Sequence, residues 1–436
     1  MQEISPDLCM KIGLSLSNLS KGAYYVGHDV RLSSPLLTQS LINGLNEGGS
    51  DAVNLGLAPT PAVAFYSRGK TGGAMITASH NPPEYNGVKL FNGEGASLSY
   101  SDYILVMSKF NDLKLAEWNS LGSAKFGDGL SHYIENVTSA SKVSKKWKVG
   151  LDIGNGSTAV TASAVMGLIG ASVSAINLSP DGTFPGRGSE PNMDTLEGLC
   201  YLIREQELDI GFGYDGDGDR VAVVDERGSF LQQDLALGFV AANSLRGKGG
   251  FVVVNVDTSM VVDMMVEAVG GKVLRSKVGD TYILEEMRNK GAIFGGESCG
   301  AWIHSMHSLC PDGVLSSIIF LNILEDLGMK PSEIGKEIPP LFLVRQKIAC
   351  PNELKMQTMQ ALKAELTGAF PDGEISDVDG IRVGMTDHSW VLVRPSGTEP
   401  ILRITAESCS NSRSNELAEA VFREAKRTVE GLRRRQ

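Results

Sequence analysis

The chain alternates short β-rich runs with amphipathic helical patterns. Tyr24-Tyr25-Val26-Gly27 reads as a strand, and 35–46 reads as a helix with apolar residues at Leu36, Leu37, Leu41 and Leu45. Ala74-Met75-Ile76-Thr77 is the next strand. The same order restarts at Lys148-Val149-Gly150-Leu151-Asp152-Ile153, a strand that enters a Gly-rich turn and then an Ala-rich helix over 158–168. It restarts again at Phe251-Val252-Val253-Val254-Asn255, followed by a helix over 260–269. Strands alternating with helices predict parallel α/β units. Three restarts, with breaks near 140 and 245, predict three similar α/β domains. The last stretch differs. Strands at 377–383, Trp390-Val391-Leu392-Val393 and Leu402-Arg403-Ile404-Thr405, closed by a helix over 415–432, predict an α+β domain. The expected division is 1–140, 141–245, 246–340 and 341–436.

Composition narrows the class. The 436 residues are 42% hydrophobic and 21% charged, which suits folded domains and not disorder. Lys+Arg number 40 against 51 Asp+Glu, a net charge of −11, so a nucleic-acid backbone or an anionic bilayer is a poor electrostatic match. The basic run Arg433-Arg434-Arg435 reads as a solvated end. The first residues, Met-Gln-Glu-Ile-Ser-Pro, show no basic segment followed by an apolar one, so no signal peptide is expected. The longest apolar stretch, near 314–324, is far short of the roughly 20 residues a membrane helix needs. Cys9, Cys200, Cys299, Cys310, Cys350 and Cys409 are scattered with no Cys-x-x-Cys pair, which predicts free thiols in a reducing cytoplasm.

Four polar, Gly-rich segments stand where strands should end, the usual place for ligands in α/β folds. The first is Thr77-Ala78-Ser79-His80-Asn81-Pro82. A serine on a turn after a strand can offer its hydroxyl to a ligand, and an exposed turn serine is the plain alternative. Adjacency of Ser79 and His80 is not in itself a catalytic dyad. The second is Asp215-Gly216-Asp217-Gly218-Asp219-Arg220. Carboxylates about 4 Å apart repel by roughly 4 kcal/mol at an effective dielectric of 20, which a hard divalent cation relieves. A calcium EF-hand would place Asp215, Asp217, Asp219 and Glu226 at its positions 1, 3, 5 and 12. It needs glycine where Arg220 stands, and Val221-Ala222-Val223-Val224 is a β run. Mg²⁺ shared with a phosphate ligand is the better fit.

The third segment is Gly295-Gly296-Glu297-Ser298-Cys299-Gly300, where Glu297 can accept hydrogen bonds from sugar hydroxyls. It lacks the spacing of a nucleotide-binding glycine loop. The fourth is Arg394-Pro395-Ser396-Gly397-Thr398-Glu399-Pro400. A guanidinium, two hydroxyls and a glycine turn make a phosphate cradle. His304 and His307 have two-ligand spacing but no third ligand nearby, so they read as core or surface residues.

In this order and at these separations, the four segments resemble the α-D-phosphohexomutase superfamily. Its members include phosphoglucomutase, phosphomannomutase and phosphoglucosamine mutase. Gly27–Ser33, Lys277-Val278-Gly279-Asp280 and Pro311-Asp312-Gly313 extend the likeness over nearly the whole chain. The resemblance implies four domains around a central active-site cleft. It also implies an intramolecular phosphotransferase of the isomerase class, which moves phosphate between the 6- and 1-positions of a hexose. Phosphoserine at Ser79 would give its phosphoryl group to the sugar and recover the other phosphate from a hexose 1,6-bisphosphate, which also serves as activator.

The implied catalytic set is Ser79, Lys89, Arg220 and His80. Mg²⁺ would be held by Ser79, Asp215, Asp217 and Asp219. Substrate would meet Glu297, Cys299, Lys277, Arg394, Ser396, Gly397, Thr398 and Arg403. The implied partner is a small-molecule sugar phosphate in the cytoplasm, with no nucleic acid or membrane, and a homodimer stays open. The stretch 79–90 and Lys277-Val278-Gly279-Asp280-Thr281-Tyr282 look most like phosphoglucosamine mutases, including the shorter archaeal type. Conversion of glucosamine 6-phosphate to glucosamine 1-phosphate is therefore the favoured reading. Phosphomannomutase/phosphoglucomutase activity is the alternative, and a non-catalytic sugar-phosphate binder or a phosphatase stands further off. Two departures stand out. Met1-Gln2-Glu3 stands where many members carry a Gly-Thr-Ser/Asp-Gly-Ile-Arg-Gly motif. In the sugar loop, Cys299 replaces serine and Ala301 replaces histidine.

Overall fold

The computed structural model describes residues 4–396 and 399–434. It divides into two compact units. One runs to Val240 and adds Ile293–Ile334; the other comprises Ala241–Ala292 and the chain from Gly335 onward.

The first unit opens with α1 (Pro6–Leu19), β1 (Ala23–His28), α2 (Ser34–Glu47), β2 (Asp51–Leu57) and α3 (Thr60–Ser67). It continues with β3 (Gly72–Ile76), β4 (Val88–Asn92), α4 (Tyr100–Ser108) and β5 (Ala124–Phe126). The five strands form one sheet in the order β4-β3-β1-β2-β5. β1 is parallel to β2 and β3, while β4 runs antiparallel to β3. Val26, Ala74 and Ile76 of the sheet are fully buried with Leu41 and Leu45 of α2, and Leu37 joins them, so three of the four expected apolar positions meet the core, while Leu36, about 100° round the helix from Leu37, is exposed. Each buried leucine contributes about 1.5–3 kcal/mol.

After α5 (Ser131–Thr138) the plan repeats with β6 (Lys148–Asp152), α6 (Ala162–Leu168), β7 (Ser172–Ile176), α7 (Glu197–Gln206), β8 (Ile210–Tyr214) and β9 (Val221–Val224). The sheet order is β7-β6-β8-β9, with β6 parallel to both neighbours and β9 antiparallel to β8. The helix expected over 158–168 is in fact a 3₁₀ turn, Ser157–Val160, followed by α6. Thr161 separates them, with φ −138° taking it out of the helical region.

Then come α8 (Gln233–Leu245), β10 (Gly250–Asn255), α9 (Met260–Glu267), β11 (Gly271–Ser276) and α10 (Asp280–Lys290), with β10 parallel to β11. β12 (Phe294–Gly296) and β13 (Trp302–His304) form an antiparallel pair, followed by α11 (Gly313–Leu327).

The C-terminal part of the second unit is all antiparallel. β14 (Phe342–Ala349), α12 (Lys355–Ala369), β15 (Glu374–Ser376), β16 (Ile381–Gly384), β17 (Trp390–Pro395), β18 (Ile401–Ser408) and α13 (Asn411–Arg433) build a sheet ordered β14-β18-β17-β16-β15. The single strand expected over 377–383 is instead a hairpin, because Gly380 turns the chain at φ +91° between β15 and β16. This is the α+β arrangement expected from the sequence, and the preceding domains are α/β.

One rule places all four chemical loops. Each joins two antiparallel neighbours: β3 to β4, β8 to β9, β12 to β13 and β17 to β18. Each therefore stands at the end of a hairpin, where side chains leave the sheet and meet solvent or ligand. Among the described residues, no helix is long and apolar enough to cross a membrane.

Candidate functional site

The first unit brings the serine loop, the carboxylate loop and the Glu297 loop together. Ser79 is buried, and its Oγ donates to Asp215 Oδ2 at 2.8 Å. Its backbone φ is +51°, a left-handed conformation that costs a non-glycine residue about 1–2 kcal/mol. Two contacts hold it there. The Ser79 amide donates to Thr77 Oγ1 at 2.9 Å, and its carbonyl accepts from Arg31 Nη2 at 2.8 Å.

Asp215, Asp217 and Asp219 are all buried, and one oxygen from each lies within 4.8 Å of the others. Gly218 makes the tight turn between them at φ +75°; a Cβ there would lie 2.4 Å from Thr158 Cγ2. Burial and mutual repulsion push Asp215 well above the usual carboxylate range. Burial likewise raises Asp219, and Asp217 adds to it. Asp217 goes the other way. Burial opposes its charge, but Lys89 beside it and the hydrogen bonds it accepts hold it low. Lys89, on β4, places Nζ 2.7 Å from Asp217 Oδ2 and 2.5 Å from Asp219 Oδ2. Burial alone would lower the lysine, but these two carboxylates outweigh it and hold it well above its ordinary value. Lys89 is thus an ammonium here, a cation with a proton to give.

Asp217 Oδ1 and Asp219 Oδ1 are buried with no hydrogen-bond partner among the described residues. An all-oxygen set with two orphaned carboxylate oxygens, already attracting one cation in Lys89, fits a hard divalent ion such as Mg²⁺.

Arg220 closes the carboxylate loop. Its amide donates to Asp215 Oδ1 at 3.1 Å, and Nη1 donates to both oxygens of Glu190 at 2.9 and 3.0 Å. Glu190 also lies 3.8 Å from His80 Nδ1. Burial, with Arg220 nearby, pushes His80 down to about 4, so the ring is neutral at ordinary pH. The Glu297 loop is laced to the same place. Val221 N donates to Gly300 O at 3.1 Å, and Arg220 bridges Ala301. Glu297 is buried at its start, with its amide bonded to Ala301 O at 3.0 Å. Cys299 Sγ lies 4.0 Å from Glu297 Oε2. Burial, despite Arg220, pushes the Cys299 thiol up to about 12, so it stays neutral.

The second unit holds the remaining expected residues. Arg394, next to last in β17, has Nη1 3.4 Å from Asp379 Oδ2 and 3.8 Å from Asp257 Oδ2. Asp379 Oδ2 also accepts from Val278 N at 3.3 Å, which ties the Lys277 turn to Arg394. Lys277 Nζ sits 5.4 Å from the Tyr282 ring. Ser396 is buried, and Arg403 Nη2 reaches its Oγ at 3.4 Å and Glu399 Oε2 at 2.9 Å. Gly397 and Thr398 lie outside the described residues.

Several residues in these networks escaped the sequence reading. Arg31 and Asp29 brace the serine loop, and Thr60 Oγ1 donates to Asp217 Oδ2 at 2.5 Å. Glu190 aims Arg220, and Lys355 Nζ donates to the carbonyls of Ser396 and Glu399. His304 is buried, pushed down to about 3 by burial, and its Nε2 pairs with Ser316 Oγ at 3.0 Å. It is a core residue, and the Asp215–Asp217–Asp219 set is the metal-type cluster among the described residues.

Four family models match the chain. They are phosphoglucomutase/phosphomannomutase alpha/beta/alpha domain I over residues 1–117, domain II over 130–228, domain III over 234–342, and the C-terminal domain over 346–424. A protein of Methanopyrus kandleri named probable phosphoglucosamine mutase is 38% identical, over 99% of this chain and 96% of its own. A protein of Pyrococcus abyssi with the same name is also 38% identical, over 96% and 93%. Among solved structures, a phosphoglucomutase/phosphomannomutase family protein of Burkholderia thailandensis superposes with a TM-score of 0.87 at 25% identity, covering 98% and 95%. The Aspergillus fumigatus N-acetylphosphoglucosamine mutase, solved with GlcNAc-6P and magnesium, shares the fold at a TM-score of 0.55 and 16% identity, over 85% and 92%.

Proposed function

From the premise that this chain belongs to the phosphoglucomutase/phosphomannomutase family, and is thus a phosphohexose mutase of the isomerase class, we propose that it converts glucosamine 6-phosphate to glucosamine 1-phosphate. Full-length identity of 38% to a protein named probable phosphoglucosamine mutase carries the choice of sugar. Phosphomannomutase/phosphoglucomutase activity is the alternative. The four-domain division at 140, 245 and 340 belongs to the same reading, supported by four consecutive family models.

Ser79 is the phosphoryl carrier. A covalent store splits one difficult transfer into two easier ones. In the first half, the O–P bond to Ser79 breaks as the sugar hydroxyl bonds to phosphorus, giving a hexose 1,6-bisphosphate. Lys89 gives its proton to the departing Ser79 oxygen, and its amine takes the proton the sugar hydroxyl releases. Protons balance over the step, and the second half runs the same exchange in reverse at the other end of the sugar. Asp215, Asp217 and Asp219 would hold Mg²⁺ together with an oxygen on Ser79. The bound ion offsets charge on the transferring group.

Arg220, aimed by Glu190, adds fixed positive charge, and neutral His80 stands 3.8 Å from the same Glu190. Glu297 accepts from sugar hydroxyls, with Cys299 beside it. Lys277, Arg394, Ser396, Gly397, Thr398 and Arg403 take the phosphate that is not reacting. A hexose 1,6-bisphosphate primes an enzyme that has lost its phosphate. The net charge of −11 supports a small-molecule partner over nucleic acid, the scattered free cysteines support a cytoplasmic setting, and sedimentation decides between monomer and homodimer.

The test is kcat/KM for the 6-phosphates of glucosamine, mannose and glucose, with Mg²⁺ and a trace of the matching bisphosphate. A preference of about tenfold or more for glucosamine 6-phosphate, about 1.4 kcal/mol in the transition state, is expected. A preference for mannose or glucose moves the chain to the alternative.

A further inference from the structure

We propose that Arg31, oriented by Asp29, is a positioning residue for Ser79, fixing the one course of the 77–87 loop that presents the serine for phosphoryl transfer. The inference rests on the reading of Ser79 as the phosphoryl carrier.

Arg31 has no exposed surface. Its Nη2 donates to Ser79 O at 2.8 Å and to Asn81 O at 2.6 Å. Its Nη1 donates to Tyr85 O at 2.9 Å and also to Pro82 O, and Nε donates to Asp29 Oδ2 at 2.9 Å. The whole guanidinium fork is engaged. Asp29 is tied in turn. Its Oδ1 accepts from Arg31 N at 3.0 Å and Ser34 Oγ at 2.7 Å, and its Oδ2 accepts from Thr77 Oγ1 at 2.7 Å. Thr77 Oγ1 then accepts the Ser79 amide. Ser79 is therefore held at both ends of its own residue, the amide through Thr77 and Asp29 and the carbonyl by Arg31. The Phe184 ring covers the guanidinium at 5.2 Å.

Four carbonyl oxygens meet on one guanidinium, whose positive charge offsets the mutual repulsion of their dipoles. The peptide unit is planar and trans. Directing the Ser79 carbonyl into the protein therefore turns the His80 N–H the opposite way. The left-handed backbone of Ser79 persists because contacts on both sides specify it. Lysine, with three donors on a point charge, cannot span four carbonyls and a carboxylate. Arg31 touches no reacting atom. Its effect on rate comes through placement, on which phosphoryl transfer depends more than on covalent help from the protein.

The test compares the unaltered full-length chain with Arg31→Lys and Thr77→Val. It measures kcat and KM for hexose 6-phosphate per folded molecule, and backbone amide exchange over 77–87. A positioning role predicts that Arg31→Lys loses about 30-fold or more in kcat while KM changes by less than about threefold. Exchange over 77–87 should quicken by about tenfold or more, with other segments unchanged. Thr77→Val, which keeps the arginine, should lose about fivefold in kcat and decides the matter if the lysine variant does not fold. Activity that falls only in proportion to the folded fraction overturns the proposal, as does a folded Arg31→Lys with unaltered kcat and exchange. If the unaltered chain turns over no hexose phosphate, the carrier reading fails. The exchange arm still reports separately whether Arg31 orders the loop.

Discussion

Ser79 Oγ and Asp215 Oδ2 share a hydrogen bond of 2.8 Å although they stand 136 positions apart in the chain. The contact joins the end of one hairpin to the end of another and sets the serine hydroxyl directly on the carboxylate cluster. Burial and like charge raise Asp215, and a phosphate on Ser79 would add further negative charge at this point. That arrangement calls for cations beside it: Lys89 and Arg220 are in place, and a divalent ion held by the three aspartates would add to them. Ser79→Ala is expected to lose mutase turnover by about 10³-fold or more and to carry no covalent phosphate by intact mass. Its stability should change little, since one such hydrogen bond is worth about 1 kcal/mol. Mutase turnover retained in the alanine variant would rule the serine out as carrier.

Asp217 divides its two oxygens between different tasks. Oδ2 accepts from Thr60 Oγ1 at 2.5 Å and Lys89 Nζ at 2.7 Å, while Oδ1 is buried with no hydrogen bond. On the proposed function, the free oxygen would be the one to ligate Mg²⁺. Asp217→Asn keeps shape and the accepting oxygen but removes a charge. Mg²⁺ affinity measured by calorimetric titration should weaken by about tenfold or more, equivalent to about 1.4 kcal/mol. A titration curve identical to that of the unaltered chain removes Asp217 from the ligand set.

The fold and the four loops were legible because each loop follows an apolar run and breaks it with glycine and charge. Ala74–Ile76 into Ser79 is one such passage, and Gly211–Tyr214 into Asp215 is another. The bracing residues were not legible, because their partners are far off in sequence. Arg31 meets Ser79 across 48 positions, and Thr60 meets Asp217 across 157. Glu190 reads as a loop carboxylate until Arg220 is seen against it. Two of the elements that went unread fell outside the pattern for different reasons. β14 is largely exposed, so it shows no alternation to read. α1 carried a start signal in Ser5-Pro6-Asp7, with Ser5 Oγ accepting from Leu8 N at 3.2 Å, and could have been found from its cap. The charge state of Lys89 was not legible either, because the two carboxylates in direct contact that raise it stand 128 and 130 positions away.

Asp312 gives the fold a pH dependence separate from the reaction. It caps α11, with Oδ1 accepting from Leu315 N at 2.9 Å, and Tyr133 Oη donates to its two oxygens at 3.1 and 3.0 Å. Burial pushes its carboxyl up to about 6, against an ordinary value of 3.8. Between those values the folded state binds a proton that the unfolded state has already released. Stability from this group is therefore present below the unfolded value and lost as pH rises through about 6. The loss over that window is roughly 3 kcal/mol, at about 1.4 kcal/mol for each pH unit. Asp312→Asn keeps the oxygen that caps α11, and its amide can donate to the Tyr133 hydroxyl, which accepts as well as donates. The variant never carries the buried charge. Its melting temperature relative to the unaltered chain should therefore climb as pH is raised from about 4.5 to about 7, as scanning calorimetry would show. A gap in melting temperature that stays constant across that range would mean that Asp312 ionises in the folded state as readily as in the unfolded one.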